Sequence, residues 1–510
     1  MNTNRNIFST RRYLINKLES LDYEAGKDES SFFTDLILAT RPVYKKYKSK
    51  ELCLKQFFKQ LEDLRIIDLH YPVSGCIVWL ENGMPFRNLF IKQMTDALRS
   101  KEYSEVLFPS LISEKSFDTL RTAIYDFSDV VFNVEKKKLK YILKPTGETA
   151  IYPTVARWLK SGTKLPIKIF QSGPFYRYKS KVNSYLSPLE SSFMVEAHGF
   201  FSTKSEMALE FKQALKICSK WSNLLCFDCL EVDRPVFLNK PVSTKTIGFD
   251  TIVPWGQTLQ TSVAYIQDRI YSKAFNICYP NKNIGEDGSK NIFQITFGIS
   301  ERNALTCLLL HSDQLGMRMP SNLAPSQISI TTNKNDKKGS KIANELFKKL
   351  VLKGFRVKLV VYNKMTNCFK REINLGTPVH IWLTKSMTLK TKAIIFQRHN
   401  SEIIECELGA IEKMSLEALE KSDLVLRIEQ SKIKQESQFQ FGDEARTKNK
   451  SVISAFIHNK KSCINKLSDQ GLGEIIGFDY LNLISKDKKK CMVCEKSSSS
   501  VQKCFIAHRI

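Results

Sequence analysis

Apolar positions along the chain recur in two rhythms. In TDLILATRPVYKKYK (34–48) and CLKQFFKQLEDLRII (53–67) they return every three or four residues, the spacing that lines one face of a helix. Residues 1–66 are therefore predicted to be a helical extension. Beyond it, short apolar runs bounded by Pro, Gly or Ser take over: VLFPSLI (106–112), KYILKP (140–145), IKIFQSG (167–173) and NIFQITFGI (291–299) read as buried strands. Between them MALEFKQALKICSKWSNLL (207–225) has helical spacing, so a mixed, largely antiparallel sheet with helices around it fits residues 67–325. From 326 to 431, ISITT, SKIANELFKKLVLKG, VKLVVYN, VHIWLT, KAIIFQRH and a closing helix describe a small α/β domain. KIKQESQFQFGDEARTKNKS (432–451) is polar and without apolar rhythm; it reads as a linker or a solvated helix before a C-terminal domain that runs to 510. The fold class is α+β.

Composition agrees with a folded chain of several domains. The 510 residues are 42% hydrophobic and 11% aromatic, and at about 150 residues per domain roughly three domains are expected. No apolar run approaches the ~20 residues of a membrane helix, so a soluble chain without membrane contact is predicted. Most of the 13 Cys stand alone in apolar stretches, as Cys218, Cys226 and Cys307 do, which suits reduced intracellular thiols. A net charge of +26 suggests a polyanionic partner, because Lys and Arg that neutralise phosphates release condensed counterions; the plainer reading is a solvated, Lys-rich surface. The first 18 residues carry Arg5, Arg11, Arg12 and Lys17 with no acid before Glu19. This is similar to a mitochondrial presequence, and a surface helix accounts for it equally; the cytoplasm is the expected compartment and the mitochondrion the alternative.

Chemistry concentrates in two places. PTGETAIYPTVARW (145–158), followed by LPIKIFQSGPFYRY (165–178), sets a polar Thr/Glu turn, a helix, and a strand ending in an aromatic-flanked Arg. At the C-terminal side, His458-x4-Cys463 and Cys491-x2-Cys494 form a Cys3His set, the four soft or borderline ligands that close a structural Zn2+ tetrahedron.

Eight segments in order resemble the prolyl-tRNA synthetases of archaeal and eukaryotic type, within the class II aminoacyl-tRNA synthetases. YPVSGCIVW (71–79) is similar to the family's YPVRG, VLFPSL with Pro109 to motif 1, TGETA to the proline-binding TSETA loop, and FYRYK to the Arg-bearing strand of motif 2. EAH (196–198) matches directly. GFDTIVPWGQTLQ (248–260) resembles the approach to the nucleotide site, GISER (298–302) motif 3, and HSDQLGMRMPSNLAPSQISI (311–330) the exit into the anticodon-binding domain. The resemblance implies a class II catalytic domain over 67–325, an anticodon-binding domain over 326–431, and a zinc-ribbon-like α/β domain within 432–510. It also implies a homodimer formed through motif 1, and ATP-dependent activation of proline followed by transfer to tRNA(Pro), with Mg2+ accompanying ATP and one structural Zn2+.

Joining a carboxylate to an ATP α-phosphate requires two anions held together and charge stabilised on a pentavalent phosphorus. Arg suits this task, since its rigid fork binds carboxylate or phosphate bidentately and stays charged. By the resemblance, Arg177 bridges the proline carboxylate and the α-phosphate, and Arg302 lies along the γ-phosphate. Thr146 and Glu148 accept from the secondary ammonium, His198 walls the pyrrolidine pocket, and Glu190 and Gln260 join Arg177 and Arg302 around ATP. The implied metal ligands are His458, Cys463, Cys491 and Cys494, the first replacing a Cys of the family. Lys364, Lys370, Arg371 and Lys385 supply the implied contacts to the tRNA backbone.

Departures from the family cluster around ATP and the anticodon surface. Its Arg-Glu-Phe that sandwiches adenine reads Leu189, Glu190, Ser191, with Phe193 as the stacking candidate in a shifted register. The acid after the motif 2 Arg is Lys179; Gly-Thr-x-His-x-x-Gly-Gln is replaced by residues 262–269; a Lys of the anticodon domain is Cys368, and the terminal Tyr is Ile510. The alternative function is therefore a catalytically weakened synthetase paralogue acting as a tRNA-binding or protein-interaction module.

Overall fold

The structure is a computed structural model that describes residues 50–510 apart from 74, 127, 138, 179–185, 187–189, 239–241, 281–288, 314, 363–370, 384–391, 441–451, 470–472, 482–488 and 510. The described residues fall into two compact units, one of residues 50–68, 79–89 and 307–430, the other of 69–78, 90–306 and 431–510. In chain order the elements used below are α1 (Lys50–Asp63), α2 (Met84–Arg99), β1 (Ser104–Glu105), β2 (Leu111–Ser113), β3 (Asn133–Lys136), β4 (Leu139–Leu143), α3 (Glu148–Lys160), β5 (Ile167–Tyr176), β6 (Glu190–Phe201), α4 (Lys204–Leu224), β7 (Leu230–Asp233), β8 (Lys245–Ile252), β9 (Thr258–Asp268), β10 (Phe293–Ser300) and α5 (Arg302–His311). Then come β11 (Ile328–Asn333), α6 (Lys337–Leu352), β12 (Val357–Tyr362), β13 (Val379–Leu383), β14 (Lys392–Gln397), β15 (Glu402–Glu407) and α7 (Ile411–Ser437). The last are β16 (Gln438–Gln440), β17 (Val452–His458), α8 (Lys461–Ser468), β18 (Glu474–Asp479) and β19 (Val501–Ala507). Among the described residues no helix is long and apolar enough to cross a membrane.

The larger unit is built on one 11-stranded sheet in the order β16-β17-β19-β18-β7-β8-β9-β10-β6-β5-β1. Its pairs are antiparallel except β16–β17 and β1–β5, which gives the α+β, largely antiparallel architecture expected. The C-terminal strands do not build a separate sheet. β18 pairs with β7 through Phe478↔Asp233 and Asp479↔Val232, so the C-terminal segment expected to be a zinc-ribbon-like domain continues the central sheet and covers an edge that would otherwise be open.

Local sequence explains most of these elements. α4 is held at its start by a capping box, in which the Thr203 hydroxyl accepts from Glu206 N–H and the Glu206 carboxylate accepts from Thr203 N–H. Its Met207, Phe211, Ala214, Ile217, Cys218 and Trp221 are buried at helical spacing. Trp221 Nε1 donates to Met94 O of α2 at 3.0 Å, satisfying the indole inside the core. Of the apolar run 106–112, read as one strand, only Leu111 and Ile112 lie in a strand, β2, while β1 ends at Glu105 just before it; Pro109 offers no backbone donor to a ladder. Of the polar stretch 432–451, residues 432–437 extend α7 and 438–440 form β16.

In the smaller unit five strands lie in the order β12-β11-β13-β14-β15, the first three parallel and the last two antiparallel to their neighbours. Ile328, Ile330, Val379 and Ile381 pack with Ala343 and Leu350 of α6. β15 escaped the sequence reading because Glu402, Glu405 and Glu407 interrupt EIIECE; it is an edge strand, where such charges are tolerated. Arg398 and Arg318 are fully buried in this unit. Arg398 grips Asp313 with two bonds of 2.7 Å, and Arg318 reaches Glu429 at 2.6 and 3.1 Å. Removing one member of such a pair leaves an unmatched buried charge. Arg398→Met leaves Asp313 with the Leu315 N–H at 2.8 Å and, as its cation, Arg318 at 3.8 Å, and the expected cost is about 3–5 kcal/mol. Urea unfolding followed by circular dichroism checks this; a loss below about 1 kcal/mol contradicts it.

Candidate active site

Sheet register gathers the site. Residues directly opposite each other on neighbouring strands share a face. One such row runs Thr246, Tyr265, Thr296, His198, Ile169; the next runs Gly248, Val263, Gly298, Glu196, Gln171. Asp250 pairs with Gln260, while Phe249 pairs with Ser262, so a bulge at Thr261 restores Gln260 to the face of Val263, Tyr265 and Gln267. Along β6, alternation adds Met194 to Glu196 and His198; beyond it a bulge, with Gly173 opposite Met194 but Phe175 opposite Ser191, brings Ser191 into that row and turns Glu190 to the reverse face. Gln260, Glu196 and His198 therefore lie on one face of the sheet.

At one end of this face the TGETA turn closes over Glu196. Gly147 is required there, because a Cβ would fall 2.0 Å from Glu196 Oε2 and 2.9 Å from Gln171 Nε2. The Thr146 hydroxyl donates to the Glu148 carboxylate in a short bond, and Gln267 Nε2 donates to Glu148 Oε1 at 3.3 Å. The Tyr152 hydroxyl donates to Gln267 Oε1 and lies 3.2 Å from His198 Nδ1. On its other side, His198 Nε2 lies 3.3 Å from Glu196 Oε2. Lys144, fully buried, donates to Gln171 Oε1 at 3.3 Å and to Phe108 O at 3.2 Å, and stands 5.0 Å over the Phe175 ring.

Two buried carboxyls here behave oppositely. Burial, together with the nearby charge of Glu196, pushes the Glu148 carboxyl above its usual range. Burial also works against ionised Glu196, but His198, Gln171 and the Arg177 guanidinium outweigh it and hold that carboxyl below the usual range. Arg177 follows β5, with Nε donating to Pro145 O at 2.9 Å. Its charge reaches Glu196, Tyr265 and Arg302.

At the other end Arg302 Nη2 donates to Gln260 O at 3.1 Å, and burial draws its pKa down while Asp250 opposes the shift. Arg234 Nη2 donates to Asp250 Oδ1 at 2.7 Å and to Gln260 Oε1 at 3.0 Å. Glu190 sits opposite Tyr176, at the outer end of β6. Ser192 donates through N–H to Glu301 Oε2 at 2.6 Å and through its hydroxyl to the other oxygen. Phe193, the stacking candidate, faces the reverse side of the sheet; it is 1% exposed and packs 5.6 Å from Phe90, so it belongs to the core. Lys179 and Leu189 lie outside the described residues.

Thr146, Glu148, Arg177, His198, Gln260 and Arg302 thus come together around one sheet face; Glu190, expected beside ATP, is turned to the reverse face by the bulge in β6. His198 is buried completely, between Glu196 and Tyr152. Sequence reading gave no role to Gln171, Glu196, Tyr152, Gln267, Tyr265, Asp250 or Arg234. Glu196 was within reach, two residues before His198 on a strand, whereas Asp250 depends on a bulge and Arg234 on a long-range strand pairing.

Elsewhere in the larger unit, ligand atoms of His458, Cys463, Cys491 and Cys494 all lie within 4.8 Å of one another. Cys463 and Cys491 sulfurs are 3.9 Å apart, and Cys494 Sγ is 3.3 Å from His458 Nδ1. Burial opposes the Cys491 thiolate, but backbone N–H groups including that of Cys494 and the His458 ring prevail, bringing the thiol down to about 6. Of the anticodon-surface candidates Arg371 is described, donating to Asn82 Oδ1 at 3.2 Å; Lys364, Lys370 and Lys385 lie outside the described residues.

Comparison with known proteins places this geometry. Residues 132–311 match the tRNA synthetase class II core domain (G, H, P, S and T). The proline–tRNA ligase of Methanopyrus kandleri is 30% identical over 361 residues, 67% of this chain and 72% of the relative. That of Pyrococcus abyssi is 26% identical over 472 residues, 87% and 96% of the two chains. Among solved structures, Giardia lamblia prolyl-tRNA synthetase in complex with prolyl-adenylate superposes with a TM-score of 0.82 at 21% identity, covering 91% of this chain and 99% of that one. The Cryptosporidium parvum enzyme complexed with L-proline and AMP gives 0.77 at 19% identity, covering 90% and 97%. With its core domain, its sequence relatives and its fold in agreement, the chain belongs to the proline–tRNA ligase family of class II aminoacyl-tRNA synthetases.

Proposed function

We propose that this chain activates proline with ATP and transfers it to tRNA(Pro) in translation. The observation that carries the reading is the adjacency, on one sheet face, of a buried acceptor pair, Thr146 and Glu148, with the guanidinium of Arg177 and then that of Arg302. A secondary ammonium brings the positive charge that ionises Glu148 inside the protein, and its N–H groups find acceptors on Glu148 and Thr146. Arg177 then holds the proline carboxylate against the α-phosphate. A carboxylate oxygen forms the new bond to phosphorus as the bond to the bridging oxygen breaks and pyrophosphate leaves. In the second step a ribose hydroxyl at the tRNA 3′ end attacks the acyl carbon, forming the ester and releasing AMP. Arg302 lies along the polyphosphate, with Gln260 contributing to the nucleotide site. His198 acts through Glu196 and Tyr152 as a positioning residue.

Two metals belong to this reading. Asp250 Oδ2 is buried with no hydrogen-bond partner among the described residues, which suits a Mg2+ ion that takes one or two carboxylates and otherwise phosphates and water. Such an ion supplies charge neutralisation for the phosphates. The Cys3His set fits Zn2+: ligand atoms of a tetrahedron with ~2.3 Å Zn–S bonds stand about 3.8 Å apart, close to the observed 3.9 Å. Ser498 Oγ lies 3.0 Å from His458 Nε2, which leaves Nδ1 toward the metal. Lys364, Lys370, Arg371 and Lys385 would meet the tRNA backbone. Leu107 (77% exposed) and Leu111 (49% exposed) flank Pro109 and offer the apolar contact expected of a homodimer through motif 1. The free cysteines among the described residues favour the cytoplasm.

The reading is tested by proline-dependent ATP–pyrophosphate exchange. Wild-type protein should exchange, and Arg177→Ala, folded by circular dichroism, should lose about 100- to 1,000-fold. No exchange from folded wild-type protein at saturating proline and ATP overturns the proposal.

The Glu148 carboxyl must be ionised to hold the ammonium, and its pKa is raised. Proline KM should therefore climb as pH falls through that raised carboxyl range, and stay flat above it. Glu148→Gln should remove the pH dependence and weaken proline binding at least about tenfold, measured as KM across pH.

For the metal, elemental analysis should find one zinc per chain in wild-type protein and none in a Cys463→Ser, Cys494→Ser double variant. Equal zinc content in both would remove this cluster as the site.

A further inference from the structure

Arg234 reaches the site by an unusual route. Its backbone N–H donates to Thr246 O at 2.9 Å, which sets it beside Thr246 at the end of β7. From there the side chain crosses β8 above Gly248, where a Cβ would stand 2.4 Å from Nη2, and arrives at Asp250 and Gln260. Its other terminal nitrogen, Nη1, donates to Ile476 O at 2.7 Å. Ile476 is the bulged residue of β18: Ile475 pairs with Ile506 and Gly477 with Phe505, so the strand ladder skips it.

A second guanidinium uses the same carbonyl. Arg509 Nη2 donates to Ile476 O at 3.3 Å. The segment bearing it is pinned to β9 by Thr258 N–H donating to His508 O at 2.9 Å. Arg234, Asp250, Tyr265 and Glu474 all lie within its electrostatic reach. Two like charges therefore converge on one neutral oxygen, beside the Arg302–Gln260 bond. Facing them are Asp250, already engaged by Arg234, and Glu474 at the exposed rim. Arg234 Nε is buried without a hydrogen-bond partner among the described residues. A neutral carbonyl positions such a pair but does not offset their repulsion; a polyanion does both.

We propose that Arg234 and Arg509, joined through the bulged carbonyl of Ile476, form a second polyphosphate shelf that takes the terminal phosphates of ATP and the pyrophosphate released from them. The inference rests on the ATP-dependent reading of the same site. It makes the C-terminal strands part of the nucleotide site, because Arg509 and the carbonyl that orients Arg234 both come from them. The shelf extends the row of Arg177 and Arg302 away from the amino-acid end, along the direction in which a triphosphate would run.

The test is equilibrium binding of inorganic pyrophosphate to the full chain by calorimetry, with proline binding as control. Arg509 is chosen because it is exposed and its replacement leaves the buried Arg234–Asp250 pair intact. Wild-type protein should bind pyrophosphate; Arg509→Gln should bind it about tenfold more weakly and Arg509→Lys at an intermediate level, with proline affinity unchanged. Equal pyrophosphate affinity in wild type and Arg509→Gln overturns the shelf, as does a wild type that binds no pyrophosphate, or a parallel loss of proline binding. Exchange activity of the wild type reads the other question separately: pyrophosphate binding that depends on Arg509 without proline-dependent exchange would sustain the shelf and sink the proposed reaction.

Discussion

Glu196 carries a charge in the middle of a sheet, and the amino-acid end of the site is arranged to keep it ionised. At 6% exposure a carboxylate loses nearly all of its water, a cost of several kcal/mol unless protein groups replace it. His198, Gln171 and Arg177 do so, with Lys144 fixing Gln171 from behind and Tyr152 facing the far side of His198. The same demand explains Gly147, the residue that lets a backbone turn close directly over the carboxylate. Glu148 enters this site as a second buried acid beside an ionised one. Its charged form is therefore disfavoured until a cation arrives. In the proposed reaction that cation is the substrate, so a fixed negative charge in the sheet becomes a means of making the pocket respond to an ammonium.

Distance along the sheet separates the two halves of the chemistry. β5, β6 and the start of α3 supply the acid cluster, while Arg234 after β7, Asp250 on β8, Gln260 on β9 and Arg302 at the start of α5 form the nucleotide end. Tyr265 stands between them, its phenol raised by burial and by Glu148 and lowered by the arginines. Because β18 and β19 continue this sheet, a shift in the C-terminal strands would be transmitted to Ile476 O and so to Arg234. The proposed metal ligands sit among the same elements: His458 ends β17, Cys463 lies on α8, and the core of that region includes both Cys463 and Cys491.

What could be read from sequence was what depends on local pattern. The helix at 207–225 appears as Lys204–Leu224, and the runs at 167–173 and 291–299 fall within β5 and β10, because periodicity and capping residues act over a few positions. The motif residues Thr146, Glu148, Arg177, His198, Gln260 and Arg302 come together as a group. What could not be read depends on register and long-range pairing. Gln260 faces the site only through the extra residue at Thr261, and a one-residue error in pairing would have turned it away. Arg234 is orphaned in sequence, and its partner Ile476 O is 242 positions distant. Phe193 shows the reverse failure. An aromatic at a plausible place in the chain lies on the wrong face of its strand, and strand alternation was the one signal that could have excluded it.

The departures from the family around adenine acquire a physical sense in this arrangement. Where the family stacks the base, Ser191 bonds back to Phe193 O at 2.8 Å and Ser192 is locked to Glu301, so these positions hold the strand in place and present no ring face. Losing an aromatic and cationic sandwich removes roughly 1–3 kcal/mol of nucleotide binding. Guanidinium contacts with phosphate are individually of similar size. A site with Arg177, Arg302, Arg234 and Arg509 in sequence can therefore recover from the polyphosphate what it forgoes at the base. Such a site would bind nucleotide with less discrimination between bases and a steeper dependence on ionic strength, since charge, and not stacking, sets the affinity.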